Sequence, residues 1–120
     1  MEKGRQARRA EVIDTVAELF RVMAHPSRVR ILGLLHERER DVSQLTVELG
    51  LSPANVSQHL ALLRSHHLVS GRRHGTHMRY SLRDPRMAEV INRVLDILAE
   101  DVAHVATLRR AIERVRLRAD

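Results

Sequence analysis

The four residues Gly50-Leu51-Ser52-Pro53 constrain this chain more than any other stretch. The Ser52 hydroxyl can accept from the free amides at a helix start. Pro53 has a ring-fixed φ and no N–H to lose at the first helical position. A helix therefore begins here. Val56, Leu60 and Leu63 follow at helical steps and give it one buried stripe. Its other face carries Ala54, Asn55, Ser57, Gln58 and His59, which are small or hydrogen-bonding groups. Upstream, Val42, Leu45 and Leu49 place a short helix at about 43–49, with Gly50 as the turn. Two short helices around a tight turn, the second capped and outwardly polar, make a helix-turn-helix.

The flanks extend this unit. Val12, Ile13, Val16, Leu19, Phe20 and Met23 recur at helical spacing and predict a first helix over roughly 10–24. His25-Pro26 stops it, because a residue before proline avoids the α region. A second helix, with Val29, Ile31, Leu32, Leu34 and Leu35, runs to about Glu37, and Glu37 to Asp41 reads as a solvated break. After Leu68 and Val69 the period becomes two. Met78, Tyr80 and Leu82 alternate with Arg79, Ser81 and Arg83, so two short strands form a β-hairpin whose basic tip is Gly71 to Thr76. Asp84-Pro85 opens a last helix whose apolar stripe continues to Val115. Unbroken over 85–118 it would be on the order of 50 Å long. A domain of this size cannot cover that stripe alone, which implies a second chain. The expected organisation is a basic flexible arm over 1–9, a winged helix-turn-helix domain over 10–104, and a helix extension or frayed tail over 105–120. The fold class is mainly α with a small β-hairpin.

Charge narrows the partner. The net charge is +6 and the isoelectric point about 11.3, which favours polyanions, with nucleic acid first and anionic membrane surface second. Lys3 is the only lysine, so 20 of the 21 basic residues are arginine, whose planar donors suit phosphates and guanine edges. Phe20 and Tyr80 are the whole aromatic set, too few for a base-stacking RNA module. The absence of cysteine excludes disulfides and thiolate metal sites. A charged N-terminus followed by no apolar run, and no span of about 18 apolar residues, place the chain in the cytoplasm with no membrane partner.

Groove chemistry then assigns roles. A helix fits the major groove of B-DNA, where each base pair shows a distinct donor and acceptor pattern. Asn55, Ser57, Gln58 and His59 are the candidate base readers, with Ala54 beside them. Ser52 and Arg64 are candidates for the DNA backbone, and Arg72, Arg73 and Arg79 for phosphates or an adjacent minor groove. The alternative is a dimerisation module acting through a partner sensor protein. A docking helix would show aliphatic or aromatic anchors at 54–59, and none is there. An enzyme is not expected, since no HExxH or similar ligand spacing occurs.

Three segments resemble the ArsR–SmtB family of bacterial winged-helix repressors. MAHPSRVRILGLL (23–35) resembles its second helix, LTVELGLSPANVSQHLALLRSHHLV (45–69) its helix-turn-helix, and GRRHGTHMRYSLRD (71–84) its wing. The resemblance implies a homodimer through the first and last helices, with Val12, Val16, Leu19, Ile91, Val94 and Leu98 as its contacts. It implies an inverted-repeat DNA operator near the chain's own gene and repression modulated by an effector, often a metal ion. The family's thiolate site is absent, because the matching stretch is DVSQL (41–45). Its last-helix site falls on Asp84, Arg86, Ile97 and Glu100. Asp84 and Glu100 match, whereas Arg86 and Ile97 cannot ligate. Asp101 and His104, at i and i+3, offer a shifted set with Asp84, and such nitrogen and oxygen donors favour Ni(II) or Zn(II).

Overall fold

The computed structural model describes residues 2–101 and 106–117. The elements are α1 (Glu2–Met23), α2 (Pro26–Glu37), β1 (Arg40–Asp41), α3 (Val42–Leu49), α4 (Pro53–Ser65), β2 (Val69–His74), β3 (His77–Leu82), α5 (Arg86–Asp101) and α6 (Ala106–Val115). This is the winged helix-turn-helix order. Its core is almost wholly aliphatic. Ile31, Leu32 and Leu35 of α2 meet Leu45 and Leu49 of α3, Val56, Leu60 and Leu63 of α4, and Leu68 and Val69 at the start of the wing. α1 buries Val22 and Met23 near its end and packs Leu19 partly against the core.

Local chemistry sets the helix-turn-helix. Asp41 Oδ1 accepts from the Gln44 amide at 2.8 Å and Gln44 Oε1 accepts from the Asp41 amide at 2.9 Å, a reciprocal cap for α3. Gly50 takes a φ of 68°, which closes α3 without a Cβ penalty. Ser52 Oγ accepts from the Asn55 amide at 3.2 Å and starts α4, as its spacing predicts. At the far end the Leu68 amide reaches Leu63 O at 2.9 Å and the His67 amide reaches Arg64 O at 3.0 Å. This double bond pattern needs a left-handed residue, and His67 supplies it with a φ of 59°. Only glycine adopts that region without strain, so His67→Gly is expected to raise stability by about 1 kcal/mol. Thermal melting of the two proteins checks it.

The structure corrects several expectations. α1 starts at Glu2, not near residue 10, because Glu, Lys, Arg, Gln and Ala are good helix formers and extend the helix through the presumed arm. The strands run farther into the hairpin than expected and leave only Gly75-Thr76 as the loop, with Gly75 at a φ of 64°. The break after α2 is not simply solvated. Arg40 and Asp41 form a third strand, giving the antiparallel order β1-β3-β2 with Arg40 opposite Tyr80. Arg40 is only 2% exposed. Its Nε lies 2.7 Å from Glu48 Oε2 and its Nη2 3.0 Å from Glu37 Oε2, and Nη1 donates to Leu34 O. The Glu48 contact is an ion pair without hydrogen-bond alignment, since neither atom has a hydrogen-bond partner.

The last helix is not one rod. α6 returns along α5, with Asn92 Nδ2 donating to Leu117 O at 2.9 Å and the Leu117 amide donating to Asn92 Oδ1 at 2.8 Å. Arg116 Nη2 sits 2.5 Å from Asp96 Oδ1 and holds that carboxyl below the usual range. The Leu117 side chain lies over Gly33 of α2, 2.6 Å from where a Cβ would stand. At about 100° per residue, Asn92 and Asp96 lie on the side of α5 away from Val94, Ile97 and Leu98. The returning segment therefore leaves that apolar stripe open.

Candidate nucleic-acid interface

α4 presents the polar face anticipated from its spacing. Ala54, Asn55, Ser57 and Gln58 are exposed, while Val56, Leu60 and Leu63 bury the opposite side. Ser52 is spent as the cap. His59 departs from the base-reader role expected of it. It is half-buried on the flank of α4, its Nδ1 accepts from Arg28 Nε at 3.3 Å, and its ring stands 4.7 Å from that of His25. Burial, then the charges of His25 and Arg28, lower its pKa below 6.5. The neutral ring thus stabilises the fold fully above about pH 6.5, and that contribution is lost as pH falls through the lowered folded value. Melting wild type and His59→Asn between pH 7.5 and pH 5 should show the gap between them closing on acidification.

Arg64 is exposed and turned towards the wing, with Nη1 3.3 Å from the Cβ position of Gly71. On the wing, Arg72 and Arg79 are opposite one another in register and share a face, while Arg73 pairs with Met78 on the other face. Arg72 bonds Glu39 at 3.0 Å, whereas Arg73 and Arg79 are exposed and make no ion pair among the described residues. Two arginines side by side repel one another unless a polyanion lies between them. His74 and His77 meet across the tip, as their spacing allows.

The described members of the proposed metal set are not brought together within one chain. Asp84 is held by Arg86 through Nη2 at 2.6 Å and the backbone amide at 3.0 Å, which brings its pKa down to about 2. Glu100 and Asp101 lie at the other end of α5, about 20 Å along the helix. His104 falls outside the described residues. Among the described residues no three His, Asp or Glu side chains form a metal-binding cluster.

The dimer set divides. Val12 (63%), Val16 (45%), Val94 (52%) and Leu98 (47%) are exposed, as an unpartnered interface requires. Leu19 and Ile91 instead pack partly against the core. Ile13, Phe20 and Ile97 join the exposed faces and were missed, although the first two lie in the same helical stripe. Arg28 was missed too, since nothing in its spacing marks a contact to α4.

The family of bacterial regulatory proteins called arsR matches residues 25–70, from the α2 cap to the second residue of β2. The HTH-type regulator Rv0081 of Mycobacterium tuberculosis is 44% identical over 84 residues, covering 69% of this chain and 74% of that protein. The chain belongs to the ArsR family. The crystal structure of Rv0081 superposes on this ArsR-family chain with a TM-score of 0.71 at 39% identity, over 78% of this chain and 94% of the other. A probable mercury resistance operon repressor of Streptomyces lividans is 36% identical over 90 residues, 75% of this chain and 72% of the relative. The homodimeric winged helix-turn-helix DNA-binding domain of Mb0332 from Mycobacterium bovis aligns with a TM-score of 0.73 at 31% identity, over 81% of this chain and 90% of that domain. This ArsR-family protein is therefore a winged helix-turn-helix transcriptional regulator, and its kinship is with DNA-binding proteins, not with enzymes. No helix among the described residues is long and apolar enough to cross a membrane.

Proposed function

We propose that the chain is a cytoplasmic homodimeric repressor that holds an inverted-repeat operator with two copies of α4. The observation that carries this reading is the exposed face of α4 beside a wing whose Arg73 and Arg79 make no ion pair among the described residues. The dimer forms through the exposed stripes of α1 and α5, and the homodimeric state of the Mb0332 domain supports the existence of a dimer. Two-fold symmetry then sets the half-sites one helical turn, ~34 Å, or a multiple of it apart. Asn55, Ser57 and Gln58 read base edges, Arg73 and Arg79 grip the backbone, and Arg72 joins them after leaving Glu39.

The test is a titration onto labelled DNA from upstream of the chain's own gene, with excess nonspecific competitor. Competitor-resistant binding is expected, and a pool of genomic fragments recovers the operator if it lies elsewhere. Gln58→Ala should weaken binding to that operator at least about 10-fold, since one base contact is lost in each half-site, while leaving nonspecific binding unchanged. Binding to competitor and operator alike would count against the reading. The titration is repeated in chelator and with Ni(II) or Zn(II). Equal affinity is the expected result, because Arg86 occupies Asp84 and Ile97 has no ligand atom. A metal-dependent shift would make Asp101 and His104 the first residues to change.

A further inference from the structure

The flank of α4 gathers three side chains that have no role in the reading above. Ser27 donates its amide to His25 Nδ1 at 3.1 Å, and Arg28 donates Nε to His59 Nδ1 at 3.3 Å. Both donors can only donate, so both Nδ1 atoms carry lone pairs, and each neutral ring holds its proton on Nε2. Arg28 is fixed in turn by Nη1, which donates to Val22 O at 2.9 Å. The two rings stand 4.7 Å apart. Neither Nε2 atom, nor Arg28 Nη2, makes a hydrogen bond among the described residues, and none of the three is shut away from solvent. All three groups are therefore donors open to solvent. Arg28 forms no ion pair with any described carboxylate. His59 follows Asn55 by one turn and about 40° around α4, so the cluster borders the reading face.

We propose that His25, Arg28 and His59 form a clamp for one DNA phosphodiester at the Asn55 edge of α4. This rests on the DNA-binding reading and adds to it a backbone contact made by two neutral imidazoles and one guanidinium. The chemistry selects an anion. Three outward donors with no outward acceptor suit phosphate oxygens. A metal cation is turned away, because each Nε2 carries a proton, each Nδ1 is engaged, and Arg28 is positive. Burial first, then the neighbouring His25 and Arg28, favour the uncharged form of His59, which preserves its lone pair for Arg28. The contact sits where a phosphate strand passes the rim of a helix lying in the major groove, so it fixes register without reading sequence.

The experiment uses the full chain and the operator recovered above. His59→Asn keeps an acceptor for Arg28 in the place of Nδ1 and removes the outward donor. Arg28→Met removes the charge. Affinities are measured across a salt series. Both variants should bind about 5-fold or more weakly. His59→Asn should leave the slope of log affinity against log salt unchanged, because it removes a neutral donor, whereas Arg28→Met should make it shallower by about 0.9 for each protomer on the operator, about 1.8 for the dimer. Nitrogen-15 NMR of the free wild type should show both rings as the Nε2–H form, and DNA should shift both Nε2 signals. Wild-type affinity and slope in both variants, with specific binding intact, would overturn the clamp and leave the regulator reading standing. Failure of wild type to bind any fragment specifically would overturn both. An Nδ1–H form for either ring would overturn the clamp even if a variant folded poorly. Inorganic phosphate is the second probe. If it shifts the Nε2 signals at millimolar concentration as strongly as DNA does, the site belongs to a free anion and the proposal fails.

Discussion

Ile97→Glu is expected to yield a folded protein that stays monomeric and loses at least about 100-fold in operator affinity. Ile97 is 61% exposed and shares a face of α5 with Val94 and Leu98. In the lone chain the new carboxylate sits in water and costs little. In a two-fold dimer it would be buried twice without a partner, at several kcal/mol each time. Each α4 would then engage a half-site alone and lose the benefit of a linked second contact. Sedimentation equilibrium reads the mass, thermal melting confirms the fold, and the operator titration reads the loss. A dimer that survives would place the interface away from this stripe.

Arg40→Ala should destabilise the protein by about 3 kcal/mol, enough to lower the melting temperature by roughly 10 °C or more. The guanidinium ties the end of α2 to α3, through Glu37, Glu48 and the carbonyls of Leu34 and Arg38, from within the short strand β1. Alanine leaves two carboxylates facing a void and deletes the packing of the arginine stem. Arg40→Met should cost markedly less. It refills the volume, and Glu37 and Glu48, at 38% and 28% side-chain exposure, can turn towards water. Denaturant unfolding of the three proteins gives the comparison. Equal losses for alanine and methionine would show that the charge, not the volume, is what the site requires.

What could be read from the chain follows its local chemistry. Ser52-Pro53, the stripe at Val56, Leu60 and Leu63, and the alternation around Tyr80 are short-range signals, and α4 and the hairpin appear where those signals put them. Arg40 was opaque because its surroundings, ERERD, look like solvated charge. Its pairing with β3 and the approach of Glu48 from the next helix, both set by tertiary structure, go with its burial. The fold-back of α6 was equally hidden. The apolar period runs on through the sequence, and what interrupts the rod is the distant pairing of Asn92 with Leu117. At the interface, the polar face of α4 was legible as a set, but His59 was assigned outward. A histidine on the border of a stripe has no period of its own, and its direction is decided by Arg28, 31 positions earlier.

The position of α5 has a mechanical consequence. One side of this helix is anchored in the protein through Ala88 and Leu95, a second is laced to the returning tail at Asn92 and Asp96, and a third carries the open row of Val94, Ile97 and Leu98. A shaft gripped on two sides cannot roll under its load. Torque applied at the third side passes to α2, whose Gly33 bears the tail's Leu117, and so to the helices packed on α2. The spacing of two reading heads in a pair would then be set by how stiffly this short brace resists twisting.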